Sequence, residues 1–436
     1  MRSNRIPAII VLIILASGLR LAAQSAPAMA PQYVGPGSCS SSSCHGSVQP
    51  RAGNRIPQDE YSVWVLQDKH AKAYAVLTSA LSQRIARNLG LAQKPELAAQ
   101  CLGCHALNVP TAQRARPFDL SDGVSCESCH GPASNWLGPH TARNWSHEQS
   151  VAAGMFDTKN LIRRSEKCLS CHLGTSELIV NHEMIAAGHP DLLFELDSYS
   201  AVMPRHWKEP LDKDPWRAVR SWSVGEAVQL REALNRLARR ARGPQWPEYA
   251  EYDCSSCHHP LVKADESWRQ QMGYAERRPG APPWHPQGYV VFRHIVRELD
   301  ASAAQQLDSE LKVIAAKMSR LEPDRQDLVA SASRAAAAAD VLARRLNSQM
   351  YSRELTLRAL RNIAADADAI STSGERSAEQ AVMAVDSLVL ACSPPLPRID
   401  ELQSRIAAMF KQLENPSSYS AKTFALQLKA IGPLLP

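Results

Sequence analysis

The sequence lacks several features that would place it in common functional classes. After residue 30, no apolar run approaches the ~20 residues that a membrane-spanning helix needs. Charge of one sign is not in large excess: the formal net charge is +6 in 436 residues, which gives no indication of nucleic-acid binding. Histidine is absent beyond residue 294. Any imidazole chemistry therefore lies in the segment 31–294.

The N-terminus has the three parts of a secretory signal. Arg2 and Arg5 precede the apolar run 6–19, and the small residues 28–30 read Ala-Met-Ala. This order predicts a signal peptide at 1–30 and export of the mature chain to the periplasm or another oxidising compartment. An uncleaved N-terminal anchor, with peripheral membrane association, is the alternative, although the run is shorter than a span requires.

Cysteine is present in an unusual arrangement. Of the 11 cysteines, ten form five pairs, and each pair is followed directly by histidine. Four pairs have the spacing C-x-x-C-H, and the first has four serines between its cysteines. In chain order the five motifs are Cys39/Cys44/His45, Cys101/Cys104/His105, Cys126/Cys129/His130, Cys168/Cys171/His172 and Cys254/Cys257/His258. Cys392 is left over, and without a following histidine it is expected to be a buried structural residue.

Haem attachment explains the motifs best. Two thiols one helical turn apart can add to the two vinyl groups of one haem, and the next histidine then binds the iron as proximal ligand. A structural zinc site does not need a histidine after every cysteine pair, and disulfides would leave all five histidines unexplained. The pattern predicts five covalently bound haem c groups, with Ser40–Ser43 as a spacer that bulges from the first motif.

Two stretches carry a family resemblance. GVSCESCHGPASNWLGPH at 123–140 and WVLQDKHAKAYAVLTSAL at 64–81 resemble the multihaem cytochromes c of the cytochrome c-554 family. The order of motifs from residue 39 to 172 is also similar to that family. The chain departs from it in two places: family members normally have two residues between the first pair of cysteines, and the tetrahaem members lack a motif like that at Cys254.

The second ligand of each iron separates a carrier from an enzyme, because a haem with an open face can bind a small molecule. Helical periodicity over 61–89 predicts one helix whose inward face carries Leu66, His70 and Leu77. The resemblance implies that His70 is a distal ligand, of the third haem, and that His140 is the distal ligand of the first.

Other histidines remain candidates. His189 lies in a Gly-His-Pro turn that can present an imidazole rigidly, and His206 precedes a tryptophan. These two complete the predicted distal set, and Met184 and Met203 are alternatives that would raise the potential. Four more histidines are held in reserve: His147, His182, His285 and His294. His259 directly follows His258 and cannot reach the other face of the same iron, so it serves a neighbouring haem or none.

The predicted function is that of an exported five-haem c-type cytochrome, which relays electrons between redox partner proteins through mostly bis-histidine haems. The alternative is a multihaem oxidoreductase with one open face, acting on a small nitrogen or sulfur compound. The resemblance directs that alternative to the haem of His105, because the second haem of the family lacks a distal side chain. The sequence favours a carrier over a catalyst and does not force a vacancy.

The predicted fold is mainly α, with a pentahaem domain at 31–294 that has little regular sheet and a helical domain at 295–436. Between the last two motifs, 216–240 is predicted as a helix whose arginines form a solvated face. The helical domain should be a bundle that caps the haem domain, with a docking module as the alternative. Its predicted helices include a heptad-like seam over 307–321 and runs at 324–347, 352–370, 377–390, 399–410 and 421–431.

Overall fold

The computed structural model describes residues 30–54, 56–208, 213–254, 257–258, 284, 286, 288–320, 322–415 and 419–436. Residues 1–29 of the predicted signal peptide, together with His259 and the reserve histidine His285, lie outside the described residues. The described part is mainly helical, as predicted, and its extended pairings are two isolated bridges, Tyr33 with Arg114 and Tyr252 with Trp284. None of its helices combines the length and the apolar character that crossing a bilayer takes.

The α-helices are numbered in chain order. They are α1 (Glu60–Gln67), α2 (Ala73–Leu77), α3 (Ala80–Asn88), α4 (Ala99–His105), α5 (Cys126–His130), α6 (His147–Ala152), α7 (Leu161–His172), α8 (His182–Ala186), α9 (Leu196–Val202), α10 (Arg217–Arg242), α11 (Tyr289–Leu299), α12 (Ala301–Met318), α13 (Arg325–Ser348), α14 (Arg353–Ala365), α15 (Ala367–Thr372), α16 (Glu375–Ala391), α17 (Ile399–Leu413) and α18 (Ala421–Lys429). Short 3₁₀ turns lie at Pro36–Cys39, Lys69–Lys72, Pro95–Leu97, Thr111–Gln113, Leu120–Asp122, Pro139–Thr141, Tyr249–Glu251 and Gly432–Leu434.

The C-x-x-C-H motifs lie at helix ends. Helices α4 and α7 terminate on the histidines of the second and fourth motifs, and α5 consists of the third motif alone. One helical turn brings the two thiols to the same side of the helix, since residues three apart are neighbours on its surface. In the fifth motif, the amide of His258 donates to the carbonyl of Cys254 at 2.8 Å, which is the same i to i−4 bond.

The first motif reaches a similar turn with two more residues. The amide of His45 donates to the carbonyl of Cys39 at 3.2 Å, and the amide of Cys44 donates to that of Ser41 at 2.8 Å. Ser41, Ser42 and Ser43 are exposed. The serines therefore form an external loop. His45 still donates from its amide to the carbonyl of Cys39, the bond that the histidine of a shorter motif makes to its first cysteine.

The predicted single helix over 61–89 is wrong. It is divided into α1, α2 and α3, and Asp68 interrupts it with an extended backbone at φ −80° and ψ 129°. Its side chain accepts a hydrogen bond from the amide of His70, which caps the following 3₁₀ turn. Because the helix breaks there, the predicted inward face does not persist: Leu77 is buried but Leu66 is exposed.

The helical predictions for the C-terminal part are confirmed. Helix α12 carries the seam Leu307, Leu311, Ile314 and Met318, and all four side chains are buried. The later runs correspond to α13 to α18, with the predicted 352–370 helix divided into α14 and α15 at Asp366. Cys392 is buried in this core, as expected.

One hydrophobic core joins α7 and α9 to the C-terminal helices. Helix α10 lies within it, with Leu230, Leu234 and Leu237 buried, and packs against α7, α9, α13 and α16. The predicted boundary at residue 294 falls inside α11, which has buried residues on both sides of it. By contrast, the separate cluster of the N-terminal part contains only Leu77, Leu102 and Ala106 as buried members.

Candidate haem-binding site

Four pairs of imidazole rings face each other across the N-terminal part of the chain. Each pair combines the histidine of one C-x-x-C-H-type motif with a histidine from a distant segment. The ring centres are 6.2 Å apart for His45 and His140, 6.4 Å for His105 and His189, 6.2 Å for His172 and His70, and 6.2 Å for His258 and His182. The similar separation of all four pairs indicates one common geometric requirement.

An iron bound by both imidazoles would account for that spacing. Imidazole nitrogen binds transition metals at about 2.0–2.1 Å, so a six-coordinate iron holds the two ring centres about 6.3 Å apart. Direct aromatic contact spans centroid distances of about 4.5–7 Å, but it brings parallel rings closer together than perpendicular ones, whereas the nearly parallel pair His45 and His140 and the perpendicular pair His105 and His189 have nearly the same separation. The four pairs therefore fit two axial ligands with a metal between them.

The hydrogen bonds of these histidines use Nδ1 and leave Nε2 available to bind a metal. Nδ1 of His105 lies 3.0 Å from the carbonyl oxygen of Ala73, and Nδ1 of His140 lies 3.0 Å from that of Trp136. The same nitrogen of His189 lies 2.7 Å from its neighbour's carbonyl oxygen. A carbonyl can only accept, so Nδ1 carries the proton, and Nε2 presents its lone pair.

Two histidines take carboxylates as their Nδ1 partners instead. Nδ1 of His45 lies 2.9 Å from Oε2 of Glu60, and Nδ1 of His70 lies 2.9 Å from Oδ1 of Asp68. The side-chain hydrogen bond is the largest cause that raises the pKa of both histidines. A carboxylate partner makes an imidazole a stronger donor to a metal, and orients it.

Two reserve histidines are used differently. Nε2 of His147 lies 2.9 Å from Asp157, and Nε2 of His294 lies 2.9 Å from Asp366. These bonds occupy the nitrogen that the facing rings leave free. Both histidines are thereby committed to the packing of the chain.

His206 is the candidate partner for the histidine of the third motif. Burial, and next the proximity of His206, lower the pKa of His130 to about 4. Nδ1 of His206 lies 3.3 Å from the carbonyl oxygen of Pro204, and burial lowers its pKa as well. Both imidazoles are therefore neutral near pH 7, as a metal ligand must be.

The structure differs from the resemblance in the placement of His70. The resemblance implies a ligand of the third haem, but the ring of His70 faces His172 of the fourth motif at an interplanar angle of 87°. Its backbone is what lies near the third motif, because its carbonyl oxygen accepts from the amide of Val124 at 3.1 Å. The hydrogen bond between Nδ1 and Asp68 holds the ring towards the fourth motif instead.

The motifs adjoin one another in a fixed order. The thiols of Cys39 and Cys126 act on each other's pKa, as do those of Cys104 and Cys171. The charge of Cys129 in turn acts on the pKa of Cys168. These electrostatic interactions place the motifs near one another in the order first, third, fourth, second.

Sequence reasoning missed two groups around the site. Glu127, inside the third motif, is buried and accepts hydrogen bonds from the amides of Val34, Gly35 and Ala133 at 2.7–3.0 Å. It fastens the chain that leads to the first motif against the third. The CESCH sequence offered this carboxylate, but its amide partners are remote in sequence or lie in an irregular loop.

The prediction that the arginines of α10 form a solvated face is wrong for two of them. Arg236 and Arg240 have side chains only 10% exposed, and both bind the buried carboxylate of Glu251. Arg236 contacts it through Nε at 2.9 Å and Nη2 at 3.2 Å, and Arg240 through Nη1 at 2.6 Å. The acidic partner follows the helix by a loop, which periodicity within the helix cannot reveal.

A zinc site needs three or four histidine, cysteine or carboxylate ligands around one point. No group of three or more histidine, cysteine, aspartate or glutamate side chains converges in this way within the described ranges. The cysteine pairs lie instead on separate helix ends and turns, each with one histidine facing another imidazole.

Comparison with known proteins supports the haem interpretation. The profile of the family described as cytochrome c554 and c-prime matches residues 39–131. Cytochrome c-554 of Nitrosomonas europaea is 32% identical to this chain over 84 residues, which cover 17% of this chain and 34% of that protein. The match thus spans about a third of the curated relative's length. No solved structure matches the chain.

Proposed function

We propose that this chain is a cytochrome c-554-like multihaem cytochrome, which serves as an exported electron carrier with five covalently bound haem c groups. Each of the five motifs would hold one haem. The thiols named above would attach it, and His45, His105, His130, His172 and His258 would bind the irons from one side. His140, His189, His206 and His70 would bind the first four from the other.

The observation that carries the proposal is the spacing of the facing rings. A separation of 6.2–6.4 Å suits an iron with two imidazole ligands. Each thiol would add across one vinyl group: the S–H bond breaks, its hydrogen goes to one vinyl carbon and the C–S bond forms at the other, with no net redox change. When bound, haem supplies a one-electron iron couple.

The protein's own residues would set how that couple behaves. Carbonyl partners at Nδ1 keep imidazoles neutral and oriented, whereas Glu60 and Asp68 make their imidazoles stronger donors, which favours the oxidised iron. The neighbouring order of the motifs supports a continuous route for electrons, because the first and third sites adjoin, as do the third and fourth and the fourth and second.

The open-face enzyme is the less favoured function. Its site would be the haem of His105, and the ring of His189 lies opposite that histidine at 6.4 Å. A side chain there leaves no coordination position for a nitrogen or sulfur compound. Redox partner proteins, one donor and one acceptor, are therefore the proposed partners, in the periplasm after cleavage of the signal.

Two measurements on the purified full chain test this proposal. The haem content, from the mass of the intact protein and the absorbance of the pyridine complex, should be five per chain. The paramagnetic resonance spectrum of the oxidised protein should be low-spin throughout and unchanged by nitric oxide. Fewer haems would reject one of the attachment sites, and a high-spin component that shifts with nitric oxide would reject the carrier in favour of the enzyme.

A further inference from the structure

The fifth motif lies outside the segment that matches the family profile, which ends at residue 131. Cys254, Cys257 and His258 form this motif, and no resemblance or sequence pattern names a partner for it. The ring of His182 lies opposite His258 with centres 6.2 Å apart and planes at 27°. This separation equals that of His45 from His140 and of His70 from His172.

Helix α8 places the ring of His182. His182 is its first residue, and Asn181 caps the helix by accepting from the amide of Met184 at 3.0 Å. The ring also contacts Tyr249 edge to face, with centres 5.8 Å apart. Tyr249 lies a few residues before the fifth motif, so the chain that leads to Cys254 touches the imidazole directly.

One carboxylate oxygen ties these two segments together. Oε1 of Glu248 accepts from the amide of His182 at 2.9 Å and from the amide of Ala250 at 2.9 Å. Glu248 is 9% exposed. It therefore holds the start of α8 and the approach to the fifth motif at a fixed separation.

A buried ion network reinforces that separation. Arg240 binds Glu251 and donates from Nη2 to the carbonyl of Val180 at 3.2 Å, two residues before His182. Arg236 binds the same carboxylate and donates to the carbonyl of Leu173. Both segments are thus anchored to α10, the most buried helix between the fourth and fifth motifs.

We propose that His182 is the distal iron ligand of a fifth haem c held by His258, and that Glu248 is the positioning residue that sets the distance between the two rings. The proposal rests on the proposed function, which attaches a haem to Cys254 and Cys257. It adds a coordination site that the cytochrome c-554 resemblance does not include.

The ligand is tested by His182→Ala in the full-length haem-loaded protein, with His147→Ala as the matched control, since His147 is committed to Asp157 through Nε2. We expect His182→Ala to keep five haems and to convert one of them to a high-spin form that binds carbon monoxide. Added imidazole should reverse the change. His147→Ala should stay low-spin, and a fully low-spin His182→Ala protein with five haems would overturn the assignment.

A second variant tests the same ligand assignment if His182→Ala folds poorly. His182→Met supplies a thioether ligand, so one haem of five should become histidine–methionine coordinated and its midpoint potential should rise. Retention of the wild-type ligand-field bands would contradict the proposal. Cys254→Ser combined with Cys257→Ser separates the two hypotheses: if haem content does not fall from five to four, the proposed attachment fails, independently of His182.

Glu248 is tested by comparing Glu248→Gln with Glu248→Ala. The glutamine amide keeps a carbonyl oxygen that can accept both backbone bonds, whereas alanine loses them. We expect Gln to retain the wild-type resonance spectrum, and Ala to shift only the signals of the haem that His182→Ala alters, with five haems still present. Equal, wild-type spectra for both variants would exclude a positioning role.

Discussion

The imidazole rings of His105 and His189 face each other at 6.4 Å with their planes at 89°. His189 comes from the turn after α8 and is more than 80 residues away in sequence from the motif it faces. The cytochrome c-554 resemblance implies a second haem without a distal side chain, whereas in this chain an imidazole ring lies opposite His105.

Removal of that ring should open the second site. His189→Ala should give one high-spin haem of five that binds carbon monoxide, because no side chain would replace the imidazole. Optical titration of the reduced protein with carbon monoxide measures this directly.

The wild type and His147→Ala serve as references and should not bind the gas. If the wild type already binds one equivalent, His189 is not an iron ligand, and the open-face function regains support.

The angles between ring planes predict two kinds of resonance signal. His45 and His140 are nearly parallel at 7°, whereas His105 with His189, and His172 with His70, are nearly perpendicular at 89° and 87°. Two parallel imidazole planes raise the energy of one iron d orbital more than that of its partner, which gives an ordinary rhombic signal. Two perpendicular planes raise both orbitals equally, which gives a highly anisotropic signal.

Low-temperature paramagnetic resonance of the oxidised protein should therefore show two highly anisotropic haems and at least one ordinary rhombic haem. In His140→Met the rhombic contribution of the first site should disappear and the two anisotropic signals should stay. Loss of an anisotropic signal in that variant would contradict the pairing.

The carboxylate beside His70 should lower the potential of the fourth site. Burial opposes ionisation of Asp68, but its hydrogen bonds with His70 dominate and the pKa of this carboxyl is lowered. Asp68→Asn replaces a charged acceptor with a neutral one, so we expect the midpoint potential of one haem to rise in a spectroelectrochemical titration.

Asp157→Asn is the matched control, because Asp157 binds a histidine that faces no motif. It should leave all potentials unchanged. A uniform shift of every haem in Asp68→Asn would indicate a general effect of charge instead of one on the His70 ligand.

A buried carboxyl in α10 should make stability depend on pH. Burial, and then the charge of Glu195, raise the pKa of Glu226 well above its ordinary value of 4.5, and its Oε1 has no hydrogen-bond partner in the described part of the chain. The folded state therefore binds this proton more tightly than the unfolded state does. The contribution of Glu226 is fully present below pH 4.5 and declines as pH rises toward the folded pKa.

Glutamine at position 226 cannot ionise, so the free energy of unfolding of Glu226→Gln should depend less on pH in this range. Relative to the wild type, the variant should be more stable at about pH 8 than at about pH 5. Denaturant unfolding followed by tryptophan fluorescence at the two pH values measures the difference. The exposed Glu414→Gln should follow the wild type, and a wild-type slope in Glu226→Gln would show that this carboxyl ionises in the folded state.

The shared core predicts that damage in α10 destabilises the C-terminal helices as well. Leu234 is fully buried there, and replacing a buried leucine by alanine costs about 2–5 kcal/mol. Leu234→Ala should lower the unfolding midpoint measured by circular dichroism by a corresponding amount.

Leu426→Ala, at a side chain 60% exposed, should change stability by no more than about 0.5 kcal/mol. If Leu234→Ala shifts only a minor fraction of the helical signal, the segments before and after residue 294 unfold separately. The two predicted domains would then also be separate folding units.

Local patterns were enough to predict most of the long helices, and they define the five cysteine–histidine motifs. The two cysteines and the histidine of a C-x-x-C-H motif lie within one helical turn, so their relationship depends only on helix geometry. The seam of α12 and the leucines of α10 follow from period alone in the same way. Helix α1 was mispredicted as part of a longer helix, because periodicity does not detect the competing side-chain cap from Asp68.

The pairing of imidazoles depended on the tertiary structure. A distal ring must come from a segment that the chain brings back to the motif, and His70, His182 and His189 reach their partners through loops whose paths no short pattern encodes. The sequence by itself determined which cysteines and histidines stand together in each motif, since that pattern is local. Only the folded chain decided which histidine faces which motif, because the separation of two rings is set by contacts, such as those of Glu248 with α8, between residues remote in sequence.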